Sequence, residues 1–136
     1  MKNRGLSALL VLLIIALICS CKRESDYRDK YLGVYTFTVH QHFIKYNDSI
    51  VFDTIVYYSG KIDKDQSNSD IIKINYDTWG NISPTITSTG KLYSNLNWPL
   101  GMTLSGQFES PYKLTFKVYY YPDYLSNYEV VQGIKN

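Results

Sequence analysis

The chain has two histidines, His40 and His42, separated by one residue. On a β-strand, residues two apart point the same way, so both imidazoles would reach one point in space, with Asp53 facing them across a hairpin. This is the best metal-ligand pattern in the sequence. A zinc site needs three or four protein ligands, however, and there is no other histidine to complete one. The pair is expected to continue the solvated outer face begun by Thr36 and Thr38, and no metal or other cofactor is expected. Catalytic patterns are weaker still. Serines are frequent, but none lies in a Gly-x-Ser-x-Gly turn. The carboxylates are scattered singly and are expected on turns or outer faces, where solvent keeps them ordinary acids. There is no phosphate-cradling glycine loop and no dinucleotide fingerprint. The chain is expected not to be an enzyme.

The N-terminus carries a different signal. Lys2 and Arg4 precede a nearly unbroken aliphatic run from Leu6 to Ile18, the order of a secretory signal peptide. The run is shorter than the roughly 20 residues that a permanent membrane-spanning helix needs. It ends in Ile18-Cys19-Ser20-Cys21, after which Lys22-Arg23-Glu24-Ser25-Asp26 is abruptly polar.

Ile18-Cys19-Ser20-Cys21 resembles the lipobox of bacterial lipoproteins, with Cys19 standing where alanine or serine is commoner. The resemblance implies cleavage before Cys21, diacylglycerol on its sulfur and an acyl chain such as palmitate on the new amine. Two or three acyl chains anchor stably where one is marginal, at about 0.8 kcal/mol per buried methylene. Lys22 is not the aspartate that the family links to inner-membrane retention, so the outer membrane is the expected address, facing either the periplasm or the outside. The expected organisation is a signal peptide at 1–20, a lipidated polar tether at 21–30 and one folded domain at 31–136.

Once Lys2 and Arg4 leave with the signal, the chain keeps 12 basic and 12 acidic residues and no basic run. That balance argues against nucleic acid as a partner. With Cys19 removed and Cys21 acylated, no cysteine remains for a disulfide, a thiolate metal site or a nucleophile. The domain must therefore hold together by burial alone. Its 14 tyrosines all follow the signal segment. Tyrosine favours strands, and it suits surfaces that are partly wet.

From Tyr31 onward the hydrophobic period is two. Tyr35, Phe37, Val39 and Phe43 alternate with Thr36, Thr38, His40 and His42. After a turn at Tyr46-Asn47-Asp48-Ser49, the segment from Ile50 to Ile62 puts Ile50, Phe52, Val56 and Tyr58 on one face. A tight turn with Asn47-Asp48 at its tip sets Tyr46 opposite Ser49 and His42 opposite Asp53, so both apolar faces fall on one side. Further strands are predicted at 71–77, 84–88, 91–94, 102–108, 113–121 and 129–135, with a turn at Trp79-Gly80-Asn81. The result is an all-β, antiparallel up-and-down meander of about eight strands. It is expected to form a closed or nearly closed barrel, because closure removes exposed edges; a β-sandwich is the alternative.

Tyr31-Leu32-Gly33-Val34-Tyr35 resembles the Gly-x-aromatic first strand of lipocalin-like proteins. Tyr58-Ser59-Gly60-Lys61-Ile62, Gly106-Gln107-Phe108, Val131-Gln132-Gly133-Ile134-Lys135 and the tether Asp26-Tyr27-Arg28-Asp29-Lys30 are similar to small lipocalin-like (calycin-like) lipoproteins of Bacteroidota. The resemblance implies fold and location more than activity.

By parity, Tyr35, Phe37, Tyr58, Tyr76, Phe116 and Tyr120 point inward and are the candidate lining of a ligand cavity. An interior of this size either fills with side chains or holds one small molecule. Phe37, Phe52, Phe108 and Phe116 are expected to share one core, with Thr38, Asp53, Gln107 and Lys117 facing water. Tyr57, Tyr119 and Tyr121 are expected to form an outer aromatic face, with Tyr124 and Tyr128 in the loop that follows. Two functions fit. One is a membrane-anchored, non-catalytic binding module for a small apolar or amphipathic ligand. The other is an envelope protein that contacts glycan or a protein partner through the outer tyrosines.

Overall fold

The computed structural model describes residues 25–45, 50–76, 81–94, 102–120 and 127–136. Among these residues, alternating apolar side chains produce nine strands: β1 (Gly33–Lys45), β2 (Ile50–Lys64), β3 (Ile72–Asn75), β4 (Asn81–Ile82), β5 (Thr85–Ile86), β6 (Lys91–Tyr93), β7 (Met102–Ser110), β8 (Lys113–Tyr120) and β9 (Tyr128–Lys135). They form one antiparallel sheet, ordered β4-β3-β2-β1-β9-β8-β7-β6-β5 and curled into a half-barrel. This is the expected all-β meander as a single sheet, not two sheets packed face to face. The chain returns on itself, because β9 pairs with β1 from Tyr35↔Lys135 to His42↔Tyr128. In the β1–β2 ladder His42 lies opposite Asp53, the register that the sequence predicts.

β4 and β5 are two halves of one bent strand. Both run along the chain segment that leads into and through β3, with Asn75 opposite Asn81, Ile74 opposite Ile82 and Ile71 bridged to Thr85. The ladder breaks between them at Pro84, which has no N–H to donate. The Pro84 carbonyl still accepts from Ile72 N at 3.2 Å, and Ile86 N donates to Asp70 O at 2.7 Å. Since β5 also pairs with β6, the two ends of the sheet are tied together. Counting β4 and β5 as one gives a ring of eight strands.

The ring is complete at one end only. β3 to β6 are short and gather where β1 begins, while β2, β1, β9, β8 and β7 continue beyond them as an open curved sheet. Closure at the complete end depends on a plug from the chain before β1. Residues 29–31 make one 3-10 turn, and Tyr31 stacks on Phe108 with ring centroids 4.2 Å apart. Tyr27 Oη donates to Ile86 O at 2.9 Å. Arg28 is only 6% exposed. Its Nη1 donates to the carbonyl oxygens of Asp65 (3.2 Å), Asn68 (2.7 Å) and Ile71 (2.7 Å), while Nε and Nη2 grip the Asp26 carboxylate. From Asp26 onward, the stretch expected to be a polar tether through Lys30 is part of the folded domain. Long arginine side chains read as solvated in a sequence, but this guanidinium finds an acceptor for most of its N–H groups and so is buried without being left unpaired.

Within the ring, Tyr35, Phe37, Val39, Leu114, Phe116, Val118 and Val131 are buried against Ile62, Ile72, Ile74, Ile86 and Leu92. Glycines of the strand motifs lie among these side chains. Phe37 is flanked by Gly60 on β2 and Gly133 on β9, where a Cβ would come within 3.0 and 2.7 Å of its ring. A larger residue at Gly133 would collide with the ring, and one at Gly60 would collide first with the Asn75 carbonyl oxygen.

Phe52 departs from the expected shared core. Phe37, Phe108 and Phe116 are buried, but Phe52 is 53% exposed. Its parity is inward, as predicted. β1 flanks it on one side, with Phe43 opposite, but β3 pairs only with Lys61–Lys64, so no described strand lies on the other side of β2 at the level of Phe52. Alternation tells which way a side chain points; it does not tell whether anything lies over it. Of the residues expected to face water, Asp53 and Gln107 are exposed, whereas Thr38 and Lys117 are half-buried.

Candidate functional site

The inward aromatic group is real, and it is largely a packed core. Tyr35 and Phe37 stack at 5.7 Å, Phe37 meets Tyr76 edge-on at 6.1 Å, and Tyr76 meets Phe116 edge-on at 5.3 Å. Tyr58 and Tyr120 lie partly buried at its margin. Tyr35 finds its hydroxyl partners at the plugged end, where its oxygen lies 2.8 Å from Tyr31 O and 3.2 Å from Pro111 O. Burial pushes this hydroxyl up to about 12, so it stays a donor throughout the physiological range.

The open end is different. Two polar residues that no sequence motif singles out point into the barrel there, Gln41 on β1 and Glu129 on β9, which lie opposite each other in the ladder. Glu129 is only 2% exposed. The Tyr76 hydroxyl donates to its Oε2 at 2.9 Å, and Gln41 Nε2 donates to its Oε1 at 2.8 Å. The expectation that every carboxylate sits on a turn or an outer face is therefore wrong for Glu129. Parity is the signal that could have found both residues. Gln41 shares the odd positions of Phe37 and Val39, and Glu129 shares those of Val131 and Gly133. Above the trio the lining is half-exposed and mostly apolar. Phe43 and Tyr120 tilt together at 5.6 Å, Met102 lies opposite Tyr120 across the β7–β8 ladder, and Phe52 lies opposite Phe43. A buried carboxyl group held by two neutral donors, beneath an apolar rim, can orient a small molecule that has one polar and one apolar side.

The outer face carries the histidine cluster. Asp53 lies between the two imidazoles, with Oδ1 against His40 Nε2 and Oδ2 3.4 Å from His42 Nδ1. Hydrogen bonds from His40 and then His42 hold the Asp53 carboxyl below its usual range, so the ionised carboxylate accepts and the ring nitrogens donate. The grouping expected from the sequence thus exists, as a hydrogen-bonded cluster on the surface. Among the described residues, no set of three or more His, Cys, Asp or Glu is placed to hold a metal ion.

The expected outer tyrosine face is not one patch. Tyr57, on β2, is 71% exposed, and Tyr119, on β8, is separated from it by β1 and β9. Tyr121 lies outside the described residues, as do Tyr124 and Cys21. Tyr119 is joined instead by Tyr128, which opens β9 and does not sit in the preceding loop. Tyr128 stacks on His42 at 4.9 Å and lies 6.4 Å from Tyr119. The Lys117 ammonium stands over both rings, 3.8 Å from the centroid of Tyr128 and 4.8 Å from that of Tyr119.

Fold and site together define a small up-and-down β-barrel, plugged at one end by an arginine and open at the other above an inward polar trio. No protein family matches the chain, and no curated protein matches it.

Proposed function

We propose that this chain is a non-catalytic binding module of the cell envelope, held at the outer membrane by lipid on Cys21. It takes a small apolar or amphipathic molecule at the open end of the barrel. The observation that carries this reading is the Gln41–Glu129–Tyr76 trio, a hydrogen-bonded polar group on the inner face at that end, beneath the half-exposed Phe43, Phe52, Met102 and Tyr120. A polar group buried in an apolar interior has a desolvation cost, which its internal hydrogen bonds offset. The trio would meet the polar end of a ligand, and the aromatic rim would cover its apolar body. Most of the barrel is filled, so the ligand is small and sits at the mouth.

Two measurements test the two halves of the proposal. A chain starting at residue 25 should bind the fluorescent probe N-phenyl-1-naphthylamine saturably at one site, with a blue-shifted emission. Replacing Phe43 and Phe52 together by alanine should weaken binding about tenfold, since each ring contributes on the order of 1 kcal/mol or less of contact at a half-exposed site. Binding that never saturates, or that ignores both substitutions, would overturn the mouth as the site. For the anchor, Cys21→Ser should abolish incorporation of a clickable fatty acid and release the protein to the soluble fraction. Unchanged labelling would rule out Cys21 as the acceptor. The outer strip of His42, Tyr128, Tyr119 and Lys117 supports the second reading, contact with glycan or a protein partner, and retention on envelope glycan without probe binding would favour it.

A further inference from the structure

β2 is the longest strand, and β1 pairs with it along thirteen consecutive positions without a bulge. On its other side β3 covers only Lys61–Lys64. From Val51 to Tyr57, no strand lies along that edge among the described residues. Alternate N–H and C=O groups of such an edge point outward and offer a template for another strand. Natural edges of this length are usually blunted by lysine, proline or a bulge. Val51-Phe52-Asp53-Thr54-Ile55-Val56-Tyr57-Tyr58-Ser59 has none of these, and its single charge, Asp53, is already held by His40 and His42. The flanking surface is apolar. Val51 and Ile55 are 54% and 55% exposed on the outer face beside Tyr57, and Phe52 is exposed on the inner one.

We infer that the Val51–Tyr57 edge of β2 pairs in antiparallel fashion with the same edge of a second copy of this chain, about a two-fold axis at Thr54. The register follows from the side chains. Keeping inner face with inner and outer with outer requires odd residues to pair with odd ones. A centre at Asp53 would set two carboxylates directly opposite each other, which is unfavourable. A centre at Ile55 would leave Val51 against Ser59 and Asp53 against Tyr57. The centre at Thr54 sets Val51 against Tyr57, Phe52 against Val56 and Asp53 against Ile55. It keeps the carboxylates apart and gives three of the exposed apolar residues an apolar neighbour across the seam. The edge is thus complementary to itself, which makes a closed two-fold pair its natural occupant.

A cysteine trap on the full-length chain, expressed in a bacterial envelope, tests this. Thr54 would face its own copy at the axis, and directly opposed residues of antiparallel strands lie within disulfide reach. Mild oxidation of Thr54→Cys should give a band of twice the chain's mass on a non-reducing gel. The unsubstituted chain should not, nor should Lys113→Cys, an exposed position on β8. Adding Ile55→Lys and Tyr57→Lys to Thr54→Cys should cut the trapped fraction at least fivefold. The absence of the band, equal bands from positions 54 and 113, or a band at a mass that fits a different protein would each overturn the pairing. The trap is read in the single Thr54→Cys variant, so it stands even if the lysine substitutions disturb folding.

Discussion

Replacing Arg28 by alanine is expected to cost the domain about 2 to 4 kcal/mol, somewhat below the range for a fully buried ion pair because Asp26 stays partly exposed. The loss has two parts. The carbonyl oxygens of Asp65, Asn68 and Ile71 each lose the Arg28 donor, Ile71 keeping only the Asp65 N–H at 3.2 Å, and Asp26 loses the guanidinium that neutralises it. Arg28→Lys should recover only a fraction, because one ammonium cannot serve a carboxylate and three carbonyls in a planar fork. The effect should also depend on pH. Hydrogen bonds from Arg28 hold the Asp26 carboxyl far below its usual range. A group whose pKa is depressed by folding stabilises fully above its unfolded pKa, near 3.9, and the contribution fades as pH falls toward the folded value. Denaturant melts at pH 7 and pH 3 should therefore show a gap between parent and variant that narrows in acid. A loss under about 1 kcal/mol at pH 7 would mean that Arg28 does not plug the barrel.

Phe116→Ala should have an effect of similar size, about 3 to 5 kcal/mol, through the cavity it leaves. The ring is buried at the centre of the barrel and meets Tyr76 edge-on. Typical domains have about 5 to 15 kcal/mol of stability in all, so the melting temperature should fall visibly. Lys117, one residue on, provides the comparison. Parity alone predicts less than about 0.5 kcal/mol for Lys117→Ala. The two rings beneath its ammonium raise that to about 0.5 to 1 kcal/mol, still well short of Phe116. Equal effects would mean that the two positions do not face opposite sides of the sheet. A mild Phe116 effect beside a normal Lys117 would mean that the ring lines a cavity.

Much of this architecture is legible in the order of residues alone. Alternation identifies Tyr35, Phe37, Tyr76 and Phe116 as interior, and matching faces set the β1–β2 register with His42 opposite Asp53. What alternation cannot convey is cover. Phe52 has the right parity but a described neighbouring strand on one side only, and Tyr57 and Tyr119 share a face yet lie three strands apart. Polar residues that point inward are also hard to read. Gln41 and Glu129 sit at inward positions, but a glutamate at a strand's start looks like a solvated end until its two donors are seen. Arg28 is hidden for the same reason, since its acceptors lie 37 to 43 residues away in the chain. Pro84 interrupts a strand whose two halves become one only when both are seen along the same neighbour.

The Arg28 plug has a mechanical consequence. A pull on the N-terminus reaches Asp26 and Arg28 first, then passes directly into the start of β1. β1 is clamped by β2 on one side and by antiparallel β9 on the other, so a force along it must shear two ladders at once instead of peeling them open bond by bond. The salt-bridged latch ahead of it would give way first and let slack into the chain while the barrel stays closed around Phe37. If the domain is hung from its N-terminus by lipid on Cys21, as proposed, it is in this way fitted with a fuse, and tension from that side would open the plugged end long before it unravels the fold.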